Sequence, residues 1–148
     1  MKRVFVFSMM AVMALLVVGC CACRKGKNAK PLVGTQWHLV RMMERDLKIA
    51  PDQFVFTFNA EGRFAGKGAC NRMMGGYTTT DKGEMKFSGV ASTRMMCPDV
   101  DLEGELGQIL DKTTHYEIDG DMLMLLSNGE LQAVFQATEA SADEAAAE

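Results

Sequence analysis

Between Pro51 and Gly62 the chain reads "PDQFVFTFNAEG", with Phe54, Phe56 and Phe58 at alternate positions. Successive side chains of a strand point to opposite faces, so this spacing puts three aromatic rings on one face and Val55 and Thr57 on the other. A strand carrying that much apolar surface must be covered, and a lone hairpin is too small to do it. The same period recurs. Trp37 and Leu39 share a face in "TQWHLV", and Leu131, Ala133, Phe135 and Ala137 do so in "LQAVFQA". Between strands the chain carries turn signals. "NAEG" at 59–62 leads into a strand holding Phe64, Asp119-Gly120 separates "HYEI" from "MLMLL", and Asn128-Gly129 is a strong hairpin dipeptide. Further strands are expected at Tyr77–Thr80, around Met85 and Phe87 after a turn at 81–83, and from Ala91 towards Met95. Met42 to Ala50 is irregular and reads as a loop closed by Pro51.

Only one segment has helical spacing. After Pro98, the residues Leu102, Leu106, Ile109 and Leu110 form one stripe, with Asp99 and Asp101 near the positive N-terminal end. Gly104 and Gly107 weaken this helix, so its stability must come from docking. Seven or eight short strands with one helix predict a mainly β (α+β) domain: a curved antiparallel sheet or open barrel, the helix packed at an end or across the opening.

The first residues read differently. Met1-Lys2-Arg3 is a positive n-region, and Val4 to Val18 is an apolar run of signal-peptide length. "VVGC" at 17–20 resembles a bacterial lipobox, which implies a signal peptide over 1–19 and lipidation of Cys20. Acyl chains on one cysteine anchor it stably, at roughly 0.8 kcal/mol per buried methylene. Residues 20–31 are small and basic, as suits a tether over anionic headgroups. These features predict attachment to the membrane in the cell envelope, at the outer membrane and facing the periplasm. The full chain carries a formal charge of −3, and removal of Lys2 and Arg3 takes it to −5. So acidic a domain is a poor partner for nucleic acid. Residues 138–148, "TEASADEAAAE", read as an acidic disordered tail.

The chemistry-bearing residues are sparse. His38 and His115 are the two histidines, and neither has a cysteine or carboxylate at ligand spacing, so no zinc site or other cofactor is expected. Glycines 66, 68, 75 and 76 in "GKGACNRMMGGY" lack the Gly-Lys-Ser/Thr and the following helix of a phosphate loop. They read as a structural turn, with Asn71 bonding its own backbone and tolerating a left-handed conformation. Cys70 and Cys97 stand 27 residues apart. In an oxidising compartment they form a disulfide worth roughly 3 to 4 kcal/mol, or they pack as two small buried thiols. Of the thirteen methionines, Met42-Met43, Met73-Met74 and Met95-Met96 are doublets at expected turns or strand ends. Either they fill the core, or Met73, Met74, Met95 and Met96 rim an adaptable apolar groove. Doublets lack the spaced Met-x-x-Met pattern of a copper site.

"GTQWHL" at 34–39, "FTFNAEGRFAGKGACNRMMGGY" at 56–77, "ASTRMMCPDVDLEGEL" at 91–106 and "YEIDGDMLMLLSNG" at 116–129 together resemble the META, or HslJ-like, domain over roughly residues 32–137. Marker positions of that family fall on Gly34, Trp37, Cys70, Asn71, Tyr77, Arg94, Cys97, Pro98 and Glu103. Met96 stands where alanine is usual, and Ala69 where glycine is frequent. The resemblance implies a periplasmic or outer-membrane protein, often a lipoprotein, associated with heat shock, drug resistance, secretion or motility. It also implies a fold similar to the cracked barrel of a type III secretion pilot lipoprotein. No catalytic residues are established in the family, which leads to the expectation of a non-enzymatic envelope protein that binds or assembles other proteins. The alternative is a carrier of a lipid or small hydrophobic ligand. Arg94 and Glu103 flank the Pro98-Asp99 junction. They are expected to bond across it, the other reading being an Arg94 exposed for a partner carboxylate.

Overall fold

A computed structural model describes residues 28–138. In chain order the elements are β1 (Gln36–Met42), β2 (Arg45–Asp46), β3 (Val55–Phe58), β4 (Arg63–Lys67), β5 (Arg72–Thr79), β6 (Met85–Ser92), α1 (Val100–Lys112), β7 (His115–Asp119), β8 (Met122–Ser127) and β9 (Glu130–Thr138). All neighbours pair antiparallel, in the order β6-β5-β4-β3-β1-β9-β8-β7, with β2 beside β1. The sheet curls until its two edge strands meet at one point. There Glu84 bridges His115, and the Met85 N–H donates to Thr114 O at 2.9 Å. Beyond that point the edges part, and α1, which links them, packs along β6. The result is the expected curved antiparallel half-barrel with one helix.

Period two fills the inside. Trp37, Leu39, Phe56, Phe58, Phe64, Tyr77, Leu123, Leu125 and Phe135 are buried there, and the helix contributes Leu106, Ile109 and Leu110. Phe58 meets Tyr77 edge-on with ring centroids 5.1 Å apart, and Phe64 meets Phe87 likewise at 5.2 Å. Such aromatic pairs each add about 0.5–1.5 kcal/mol beyond area burial. Asn128 and Gly129, with φ of 51° and 88°, form the two-residue loop between β8 and β9 that the twist of a hairpin favours.

Several elements depart from the sequence expectation. The segment read as a loop from Met42 contains the end of β1 and a two-residue β2, whose own side chains, Arg45 and Asp46, are polar and exposed and leave no hydrophobic period. The glycine-rich stretch is a turn only at 68–71. Gly66, Gly75 and Gly76 lie inside β4 and β5, where a Cβ on Gly66 would sit 2.1 Å from Val55 O and one on Gly75 2.7 Å from the Phe64 ring. The two strands expected between Met85 and Met95 are one. β6 bends at Gly89, at a φ of 59°, and ends at Ser92. Leu131 leaves the buried face of β9 because the register against β8 slips by one residue beside it. Phe54 is buried as expected but stands before β3 with φ at 52°, a conformation bulky residues rarely adopt.

The chain reaches the barrel at the end where Lys30 N–H donates to Gly120 O at 2.8 Å. At that end lie the start of β1 and β8 and the finish of β7 and β9. The turn 68–71 and the start of α1 lie at the opposite end, beyond the last residues of β4 and β6.

Candidate functional site

The turn Gly68–Asn71, the segment Ser92–Pro98 and the first turns of α1 meet in one corner. Its covalent link is the Cys70–Cys97 disulfide, with Cα atoms 6.4 Å apart. Its polar centre is Glu103, which lies on the docked side of the helix with Leu106 and Leu110 and is only 5 % exposed. The Glu103 Oε2 accepts the Ala69 N–H at 3.1 Å and the Asn71 N–H at 3.4 Å, and Oε1 accepts the Ser92 hydroxyl at 2.6 Å. A Cβ at Gly68 would stand 2.5 Å from Oε2, so glycine is what lets the carboxylate approach the turn.

Asn71 holds the other half of the corner. Its Nδ2 donates to Met95 O at 3.0 Å, while Oδ1 accepts the Met95 N–H at 2.7 Å and the Thr93 hydroxyl at 2.8 Å. The amide thus pairs with a backbone residue as a neighbouring strand would, and extends the sheet past the end of β6. This corrects the expectation that Asn71 bonds its own backbone in a left-handed turn: it is buried, and its φ is not positive.

The expected Arg94–Glu103 bond is also corrected. Glu103 spends its acceptors on the turn and on Ser92, and Arg94 is exposed without an ion-pair partner among the described residues. Of the four rim methionines, Met73 points inward on β5 into the core at 2 % exposure and also lines the groove beside β6, whereas Met74 points outward and does not line it. Met95 and Met96 are 56 % and 87 % exposed. They edge an open groove of about 660 Å³ between the end of β6 and α1, whose helical side is the stripe Val100, Gly104, Gly107 and Asp111.

The remaining marked positions have structural partners. Trp37 is fully buried and its Nε1 donates to Leu32 O at 3.1 Å. Gly34 has φ of 80°, and Tyr77 donates its hydroxyl to Asn59 O at 2.7 Å. Burial pushes the Tyr77 phenol above its ordinary pKa, helped by Tyr116 and Glu61. Pro98 precedes Asp99, which enters the helix with φ of 67° and no side-chain cap. Cys20, the tether before residue 28 and the tail from residue 139 lie outside the described residues. Sequence reading missed Ser92 and the groove-lining role of Gly104 and Gly107. The glycines carried a signal, since i, i+3 spacing off the apolar stripe marks a smooth helix face; Ser92 carried none. Among the described residues no group of three His, Cys, Asp or Glu is placed to hold a metal ion.

A helix-plugged antiparallel half-barrel with its corner organised by Asn71, Glu103 and a disulfide defines the class. The sequence profile of the META domain matches residues 30–140, and the chain belongs to that family. No curated protein matches the chain significantly in sequence. Among solved structures, one determined by NMR from Burkholderia xenovorans is 22 % identical with a TM-score of 0.56, covering 72 % of this chain and 83 % of its own. The crystal structure of a DUF4847 family protein from Bacteroides vulgatus is 18 % identical with a TM-score of 0.55, covering 73 % and 94 %. These likenesses concern the fold.

Proposed function

We propose that this protein is a non-enzymatic lipoprotein of the cell envelope that binds another protein at the groove beside the disulfide corner. The observation that carries the reading is the pair Met95 and Met96, exposed to solvent at a site pinned by Asn71 and Cys97. Two flexible, polarisable side chains on a fixed backbone make an adaptable contact surface. The groove stands at the end of the barrel opposite Lys30, so a tether from Cys20 would leave it facing the aqueous compartment. The carrier reading is less well supported, because aromatic side chains and the docked helix occupy the barrel interior.

The test is in-cell photo-crosslinking from Met96 and Met74, replaced one at a time by a photoreactive phenylalanine, with adducts identified by mass spectrometry. A discrete protein adduct at Met96 that disappears in Asn71→Ala supports the reading. Adducts with lipid alone at Met96 favour the carrier, and no adduct there removes the groove from consideration.

A further inference from the structure

The outward side chains of β4, β5 and β6 are Arg63, Ala65 and Lys67, then Arg72, Met74 and Thr78, then Lys86, Ser88 and Ala91. Not one carboxylate is among them, although the full chain is net acidic. Lys67 lies directly opposite Arg72 in the ladder, a like-charge pairing that costs stability. Asp52 relieves Lys67 through an ion pair at 2.8 Å, but Arg63, Arg72 and Lys86 have no ion-pair partner among the described residues. The basic face runs into the corner, because Arg72 N–H donates to the Thr93 hydroxyl at 3.1 Å and Thr93 N–H to Arg72 O at 3.1 Å. Arg94, on the groove wall, follows at once.

Beside these cations the backbone edge of β6 is unpaired, with α1 packed along β6 and forming the far wall of the groove at its end. Among the described residues, no backbone group outside β5 bonds to residues 86–92. An unpaired edge offers main-chain donors and acceptors to an incoming extended segment. Resting on the binding reading above, we infer that the partner presents an acidic, extended protein segment. Its carboxylates meet Arg72, Lys86 and Arg94, and its apolar side chains meet Met95, Met96 and Val90. Charge complementarity selects this occupant, and geometry sets it above a lipid surface, since the chain joins the barrel at the opposite end.

The experiment uses the full-length lipidated protein in neutral-lipid vesicles and a dye-labelled peptide in which glutamate alternates with threonine and leucine, read by fluorescence anisotropy. Its lysine counterpart serves as control. The acidic peptide is expected to bind. Binding should weaken about tenfold in R72E/K86E and again as salt rises from about 50 to about 200 mM, while the lysine peptide stays unbound. Equal binding of both peptides, or indifference to the double reversal in a variant that melts normally, overturns the inference. Loss of peptide binding when anionic lipid is added assigns the face to headgroups instead. Binding that emerges only after removal of residues 139–148 assigns it to the chain's own acidic tail. The two proposals fail separately: a discrete crosslink at Met96 to a partner whose capture ignores the charge reversals keeps the binding function and discards the acidic segment.

Discussion

Replacing Glu103 tests whether its carboxylate organises the corner through acceptor geometry. In Glu103→Ala the N–H groups of Ala69 and Asn71 lose their acceptor while the turn around them remains buried, and Ser92 loses its partner. An unsatisfied buried donor costs about 1–3 kcal/mol, so two of them cost about 4 kcal/mol. For a domain of this size that is a fall in Tm of about 15 °C. Glu103→Gln behaves differently. Its amide oxygen can face both N–H groups, and its NH₂ can donate to Ser92 Oγ, whose hydroxyl rotates to suit. What is lost is the charge assistance, about 1 kcal/mol. Thermal and urea unfolding followed by circular dichroism, with the disulfide intact, separates the two variants. If both destabilise equally and strongly, charge and not acceptor geometry holds the corner. If Glu103→Ala costs under about 1 kcal/mol, the carboxylate is not an organising element and the reasoning fails.

Loss of the disulfide by Cys70→Ser/Cys97→Ser should lower stability by about 3.5 kcal/mol from the loop it closes, whereas Cys21→Ser and Cys23→Ser should leave the melting curve unchanged; coincident curves for all variants would refute this. Glycine substitutions should split in sign. Gly66→Ala drives a Cβ into Val55 O and should destabilise by at least about 2 kcal/mol, while Gly104→Ala, with nothing within 4 Å, should stabilise the helix by up to about 1 kcal/mol, both read from urea midpoints. Tyr77 gives a pH signature. Its pKa is raised in the fold, so its contribution is complete below the unfolded value near 10 and is lost as pH rises through the folded one. Stability should fall above about pH 10 in the parent and fall less steeply in Tyr77→Phe.

The β architecture was legible because it rests on local chemistry. Alternating Phe56, Phe58 and Trp37, Leu39 state which face is buried, and Asn128-Gly129 supplies the positive φ its turn requires. The helix was legible from one stripe of four aliphatic residues. The corner was only half legible. Cys70 and Cys97 announced a link, but Asn71 and Glu103 gave no sign of their partners, which lie 11 to 34 residues away. A polar side chain's bonds depend on which backbone groups the fold leaves unpaired near it, and no local pattern records that. Met73 and Met74 show the same division. The sequence by itself marked the doublet and read it as part of a turn, whereas the structure sets it on β5, whose alternation turns Met73 inward and Met74 outward. Only the tertiary structure decided that Met95 and Met96 both face solvent, because they follow the end of β6, where side-chain bonds from Asn71 replace the ladder that enforces alternation.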